Sequence, residues 1–165
     1  MNSTKKLTRS GLLIALGVIL PYMFHTLGIS GRIFLPMHFP PLLAGFIVGP
    51  FYGAIVGAVL PVLNFLVSGM PQMPTTAFMV LELAVFGFIT GLLYKKLGVM
   101  LSLIIAMLLG RVVYQLAFVL LIEFENPLVL IAGGIATGLP GIIGQLILIP
   151  LIIKLLEQKN ELELS

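Results

Sequence analysis

Long apolar runs alternate with short polar or Pro/Gly-rich breaks along the 165-residue chain. Each long run approaches the about 20 apolar residues that a helix needs to cross a bilayer. The pattern predicts six helices, at residues 11–27, 37–49, 52–67, 75–94, 99–122 and 128–155. It therefore predicts an all-α integral membrane protein with six transmembrane helices, forming one transmembrane domain over residues 1–165.

The breaks in the first part of the chain decide how many helices form there. The apolar run 33–67 contains Gly49 and Pro50 near its middle, so we divide it into two helices. The first of these is short for a span, and we expect it to lie out of contact with lipid or to thin the bilayer locally. Residues 11–27 follow basic residues, as in a signal peptide. No small-x-small cleavage site follows them, so we expect a retained helix.

The basic residues outside the apolar runs predict the orientation. Six helices place both termini on one side of the membrane, together with the second–third and fourth–fifth connections. That side carries seven basic residues: Lys5, Lys6, Arg9, Lys95, Lys96, Lys154 and Lys159. The other side carries Arg32 alone. Because basic residues accumulate on the cytoplasmic side, we expect cytoplasmic termini and outer connections at 28–36, 68–74 and 123–127.

The composition excludes most enzyme classes. Hydrophobic residues make up 59% of the chain and charged residues 9%, against about a quarter in a soluble domain. Cysteine and aspartate are absent, and no P-loop, HExxH or GxSxG motif occurs. His25 and His38 are too far apart in sequence to suggest a metal cluster. We expect no enzymatic activity, no cofactor, no metal and no nucleic-acid partner.

Small residues recur at four-residue spacing in several predicted helices. Because lipid supplies little hydrophobic drive between helices, such residues promote association by letting backbones approach closely. In helices 2, 3, 4 and 6 we expect them to pack within the chain's own bundle; they are Gly45, Gly49, Gly53, Gly57, Gly87, Gly91, Gly134 and Gly138. In helix 1, Gly11 and Ala15 lie near the cytoplasmic end, where they are placed to meet a partner's helix instead.

Two charged residues fall inside predicted helices, Glu82 in the fourth and Arg111 in the fifth. A charge at a helix centre costs about 2.5–3.5 kcal/mol on insertion scales, so neither side chain should face lipid. One interpretation is a mutual ion pair that fixes the two helices against each other. The other makes Arg111 the counter-charge for an anionic group on a solute. The two are compatible if Glu82 orients the guanidinium.

Other polar residues in the predicted spans lie mainly at mid-depth or nearer the outside on the predicted topology. They are Gln115, Tyr114, Asn64, Gln145 and His38. Hydrogen bonds between helices are one role for such groups. A bundle with a dry inner half and a polar outer half is also what an outward-facing solute pocket requires. We therefore take these residues, with Arg111 and Glu82, as the candidate substrate site.

Three segments of the sequence resemble a known family. They are HFPPLLAGFIVGPFYGAIVG at 38–57, SGMPQMP at 68–74, and residues 82–94 with Gly87 and Gly91. Together with the size, the six-helix layout and the predicted orientation, they resemble the substrate-binding S components of energy-coupling factor (ECF) transporters, the prokaryotic vitamin importers. The resemblance covers nearly the whole chain.

The resemblance implies a function and partners. S components of this family bind a vitamin near the outer face of the prokaryotic cell membrane. They then associate with a membrane T component and two cytoplasmic ATP-binding subunits, and are proposed to topple in the membrane to release substrate inside. The family contacts the T component through an AxxxA motif in helix 1. The matching positions here are Gly11 and Ala15, with glycine in place of the first alanine.

The identity of the ligand has to be argued from the residues. Arg111 favours a carboxylate or phosphate, which a guanidinium can bind through two parallel hydrogen bonds. The Gln, Asn and Tyr groups suit hydroxyls and amides, and the lack of tryptophan disfavours large aromatic vitamins. Pantothenate is the best guess; niacin, folate, a pyrimidine or a pyridoxine-type vitamin are alternatives.

Two other classes of function stay open from the sequence. A structural or assembly subunit without its own ligand would use Glu82 and Arg111 only as a pair. A small self-sufficient permease would need a polar path through both halves of the bundle. The inner halves of helices 4 and 5 offer almost nothing polar except Thr90 and Ser102, which argues against a permease.

Overall fold

The computed structural model describes residues 2–122 and 127–158. The helices are α1 (Ser3–Thr26), α2 (Gly31–Phe34), α3 (Phe39–Val48), α4 (Pro50–Ser68), α5 (Thr75–Leu121) and α6 (Pro127–Gln158), with a 3₁₀ turn at Pro36–His38. No strand occurs in these ranges, and the prediction of an all-α protein is confirmed. Lys159 and all of the predicted outer connection 123–127 except Pro127 lie outside the described residues.

Helix α5 consists of two helices joined at Gly98. The backbone there has φ 74° and ψ 179°, a conformation that glycine adopts readily because it has no Cβ. We call residues 75–97 the first half of α5 and residues 99–121 its second half. The ring of Phe78 packs edge-on against those of Tyr114 and Phe118, whereas Phe86 lies against Gly110. The two halves therefore run antiparallel, as the predicted fourth and fifth helices require.

The described helices are long and apolar enough for a multi-pass membrane protein. Helices α1, α4, α5 and residues 131–158 of α6 each meet the length and hydropathy of a span. Since α5 supplies two passes and the short α3 another, the described part of the chain forms six passes. Large apolar side chains cover the outside; Leu66, Leu120 and Leu121 are 71%, 74% and 73% exposed. Such a surface suits lipid and not water.

Helix α3 forms the centre of the bundle. It packs against α1, α4, α5 and α6, and Leu42, Ala44 and Val48 are almost completely buried. Of the two expectations for this short helix, the structure shows the first, a helix out of contact with lipid. A helix enclosed by its neighbours does not have to match the bilayer thickness, which explains how 10 residues suffice.

Glycines let α3, α4 and the first half of α5 approach at backbone distance. A Cβ on Gly91 would lie 2.5 Å from the backbone nitrogen of Pro50, and one on Gly53 would lie 2.8 Å from Cα of Gly45. A Cβ on Gly57 would overlap the carbonyl of Leu83. The expected packing of these small residues within the chain's own bundle is confirmed for these three helices.

Helix α1 begins at Ser3, eight residues before the predicted start at residue 11. The additional turns carry Lys5, Lys6 and Arg9, which favour helix as strongly as many apolar residues do. Nζ of Lys6 lies 5.9 Å from the centre of the Tyr52 ring at the start of α4. The apolar pattern therefore marked the membrane-embedded part of α1 and missed its basic extension.

We expect Gly57→Ala to destabilise the protein by about 1–3 kcal/mol, because the added methyl group forces α4 away from α5. Gly144→Ala in α6 is the matched control, since a Cβ there meets nothing within 4 Å. The control should leave stability unchanged or raise it by up to about 1 kcal/mol through helix propensity. Thermal unfolding in detergent compares the two. Equal midpoints would contradict the close α4–α5 contact.

Candidate functional site

Two opposite charges meet inside the bundle, one on each half of α5. Nη1 of Arg111 lies 3.4 Å from Oε1 of Glu82, and the two side chains are 14% and 1% exposed, respectively. Because the halves of α5 run antiparallel from Gly98, these distant residues reach the same depth. The structure thus shows the mutual ion pair. It also leaves the guanidinium, unlike the carboxylate, partly accessible.

The contact between these charges is an ion pair without a well-directed hydrogen bond. Oε1 of Glu82 is buried and has no hydrogen-bond partner within the described residues. A guanidinium carries five N–H donors in a planar fork. The geometry therefore allows Arg111 to balance Glu82 and to donate hydrogen bonds to a further acceptor.

Tyr114 and Gln115 surround the guanidinium on the second half of α5. The guanidinium carbon of Arg111 lies 5.7 Å from the centre of the Tyr114 ring, within the range of a cation–π interaction. Gln115 is buried, and a Cβ on Gly134 of α6 would lie 3.5 Å from its Nε2 and 3.7 Å from Nη1 of Arg111. Gly134 therefore lies over both polar groups, at a distance where a Cβ would make ordinary van der Waals contact with them.

A cavity of about 120 Å³ lies beside Arg111, between the second half of α5, α6 and the start of α3. His38 lines it from the 3₁₀ turn and packs edge-on against Phe86, with ring centres 5.2 Å apart. Among the residues that the structure describes, Arg111 and His38 are the polar members of the lining. The cavity is therefore an apolar chamber with one cationic wall.

The apolar wall comes mainly from α5 and α6. Seven residues of these helices contribute to it: Phe86, Ile104, Met107, Leu108, Ile135, Ile142 and Leu146. They lie at the middle of the helices, so the cavity reaches deeper than the outer-half pocket expected from the polar residues. Apolar walls with few polar groups are typical of small-molecule sites, where the polar groups fix the ligand's orientation.

Helix α2 packs on α6, and the residue that follows it reaches this chamber. A Cβ on Gly141 of α6 would lie 2.6 Å from the carbonyl carbon of Phe34, so α2 rests directly on the α6 backbone. Leu35 follows in a left-handed conformation, with φ 50° and ψ 46°, and its side chain lines the cavity. The connection between α1 and α3 therefore forms part of the cavity wall.

Two of the candidate site residues bond between helices instead of lining the cavity. Nδ2 of Asn64 donates to the carbonyl oxygens of Gly17 at 2.9 Å and Leu60 at 3.0 Å, which joins α4 to α1. Nε2 of Gln145 donates to the Leu35 carbonyl oxygen at 3.3 Å, which fixes the segment after α2 to α6. Five of the candidate site residues therefore lie together: Arg111, Glu82, Tyr114, Gln115 and His38. Asn64 lies apart from them, and Gln145 is buried outside the cavity lining.

Sequence reasoning missed the apolar wall, although one signal for part of it was present. Ile104, Met107 and Leu108 precede Arg111 by seven, four and three residues, the spacing of one helix face. Once Arg111 is taken as a site residue, this face follows from the sequence. The contributions of α6 and of Leu35 depend on how the helices pack, and no spacing in the sequence indicates them.

Gly11 and Ala15 lie on the outer surface of α1. Both are exposed, and a Cβ on Gly11 would meet nothing within 4 Å. The opposite face of α1 is buried, through Ser10, Leu13 and Gly17. Unlike the glycines of α3 and α4, these two small residues do not serve packing within the described part of the chain. They leave a shallow strip along the helix surface.

A comparison with protein-family models decides what kind of membrane protein this is. The model described as "ECF transporter, substrate-specific component" matches residues 5–153. The chain belongs to this family. Searches of curated proteins and of solved structures gave no match.

Membership in this family defines the protein's general role. It is a multi-pass membrane subunit that binds the transported substrate of an ECF transporter. The family is one of transporter components and not of enzymes, and it implies interaction with the T component and the ATPase subunits of an ECF module. The resemblance noted from the sequence is thereby confirmed.

Proposed function

We propose that the cavity beside Arg111 is the substrate site of this S component, and that Arg111 holds an anionic group of a water-soluble vitamin or vitamin precursor. One observation carries the proposal: the Arg111 side chain is 14% exposed and lines the chamber, whereas the side chain of its counter-ion Glu82 is 1% exposed and is not part of the lining. A carboxylate on this guanidinium would form charge-assisted hydrogen bonds, the strongest kind available in an apolar setting.

The cytoplasmic halves of the helices favour a binding subunit over a self-sufficient permease. Oγ1 of Thr90 donates to the Phe86 carbonyl at 2.8 Å, and Oγ of Ser102 donates to the Gly98 carbonyl at 2.6 Å. These hydroxyls therefore satisfy their own helices and do not line a polar path. The substrate of this protein accordingly needs a partner module to complete its passage.

Pantothenate, the candidate favoured from the sequence, meets the charge requirement of Arg111. Niacin and folate also carry carboxylates, whereas neutral pyrimidine and pyridoxine-type vitamins do not. If Arg111 binds the substrate, the carboxylate vitamins should therefore bind and the neutral ones should not. Capture takes place from the outer side of the cell membrane, given the cytoplasmic termini that the basic residues indicate.

The direct test is a thermal-shift screen of the purified protein against water-soluble vitamins and their precursors, repeated with Arg111→Gln. We expect an anionic vitamin to raise the unfolding midpoint, since a ligand at a thousandfold excess over Kd adds about 4 kcal/mol of stability. Arg111→Gln should abolish this shift. A neutral vitamin that stabilises both proteins equally would remove Arg111 from the site. If no vitamin in the panel raises the unfolding midpoint of a protein shown to be folded, substrate binding by this cavity is contradicted.

We also infer that the strip formed by Gly11 and Ala15 on α1 is the docking surface for the T component. The supporting observations are its exposure, the lack of any neighbour within 4 Å of a Cβ on Gly11, and its position close to the predicted cytoplasmic end. Small residues at four-residue spacing let a partner helix approach closely in the membrane. The T component would in turn connect the protein to two ATP-binding subunits.

Replacing Gly11 or Ala15 by leucine should reduce complex formation with the T component and the ATP-binding subunits, because the side chain fills the strip. Substrate affinity of the isolated protein should be unchanged, since neither residue lies near the cavity. Ala136→Leu, at an exposed position on α6, is the matched control. Co-purification of the assembled module measures the effect. Normal assembly of both α1 variants, or equal loss in the control, would reject this surface.

A further inference from the structure

The cavity offers a ligand very few hydrogen-bonding partners. Arg111 is its single charged group within the described residues, and the His38 ring is already packed against Phe86. A polyhydroxylated or amide-containing ligand would leave several polar groups without partners here. Each such group that is buried without a partner weakens binding, because it loses its hydrogen bonds to water.

Two of the amides that were expected to bind hydroxyls, Asn64 and Gln145, are engaged elsewhere, and a third, Gln115, lies beside Arg111 outside the cavity lining. Asn64 joins α4 to α1 by donating to the carbonyl oxygen of Gly17, and Gln145 donates its amide to the carbonyl oxygen of Leu35. Drawing either amide into the cavity would break a bond between helices. Hydroxyl and amide groups on the part of the ligand inside the chamber therefore find no amide partner in the described lining, whereas a negative charge finds Arg111.

The size of the chamber sets a further limit. Its volume is about 120 Å³, whereas an engineered protein cavity of about 150 Å³ binds benzene. A single ring or a short branched chain therefore fills this space, with its charged group at the wall formed by Arg111. A ligand with two linked ring systems would require the helices to move apart.

Charge balance limits the ligand to one negative charge at most. Glu82 and Arg111 already compensate each other, so the ligand adds its own charge to a balanced pair in a setting of low dielectric constant. The cost of uncompensated charge rises steeply in such a setting. A phosphate monoester, with nearly two negative charges at neutral pH, is therefore disfavoured relative to a carboxylate.

From these constraints we propose that this cavity selects a compact monocarboxylate whose remaining part is aromatic or branched and apolar. The carboxylate lies on Arg111, and the apolar part packs among Ile104, Met107 and Ile142. This inference rests on the proposed substrate site at Arg111 and names the chemical class of substrate that the site takes.

Matched ligand pairs test the class directly. Equilibrium binding to the purified full-length protein is measured for nicotinate and nicotinamide, benzoate and benzamide, and pantothenate and pantothenol. Nicotinate or benzoate should bind about tenfold to 100-fold more tightly than its amide, the factor expected for one charge-assisted interaction. The compact acids should also bind more tightly than pantothenate. Tighter binding of pantothenate, or no binding of the compact acids, would overturn the inference.

Two substitutions on α6 separate the apolar wall from general effects of mutation. Ile142→Phe fills the chamber while Arg111 itself is unchanged, and it should weaken binding of the compact acid. Ile143→Phe places the same ring on the exposed side of the helix and should not weaken binding. Unligated melting points verify that both variants fold. Equal binding by a folded Ile142→Phe protein would reject the chamber as the site of the apolar group.

The outcomes for the two proposals differ. Arg111-dependent binding of pantothenate, without binding of the compact acids, would overturn the ligand class and leave Arg111 as the substrate anchor. Binding of compact acids that survives Arg111→Gln would overturn both, because the carboxylate would then lie elsewhere.

Discussion

The ion pair between Arg111 and Glu82 is the constraint on which the other features of this bundle depend. A charge near the middle of a bilayer costs about 2.5–3.5 kcal/mol even on insertion scales, so each of these side chains requires a partner inside the protein. The pairing holds the two halves of α5 at a fixed register, 3.4 Å apart at the charged atoms. The glycine conformation at Gly98 makes the required reversal of the chain possible.

Close packing on one side of the ion pair contrasts with looser packing on the other. Glycines bring α3, α4 and the first half of α5 to backbone contact, which leaves no space for side chains between them. On the other side, the chamber lies between the second half of α5 and α6, with Arg111 in its lining. The arrangement suits a subunit that binds a solute beside a firm scaffold.

Much of the fold follows from the sequence, because few structures are possible in lipid for apolar runs, glycine–proline breaks and charged residues: the runs form helices, the breaks end them, and the charges must be buried in the protein. The meeting of Glu82 and Arg111 was one predicted outcome for this reason. The roles of Asn64 and Gln145 did not follow, because a buried amide bonds to whichever carbonyl packing brings near, here those of Gly17, Leu60 and Leu35. The wall residues Ile135 and Ile142 were also missed, since apolar residues facing a cavity and facing lipid look alike in sequence.

A double-mutant cycle over Glu82 and Arg111, measured for both stability and ligand binding, tests this account most directly. Glu82→Gln and Arg111→Gln should each destabilise the protein, by as much as about 3–5 kcal/mol if the remaining charge stays buried. The double variant should be less destabilised than the sum of the two. An anionic ligand should still bind Glu82→Gln and should not bind Arg111→Gln. Additive losses of stability, or anion binding that survives without the guanidinium, would contradict the account.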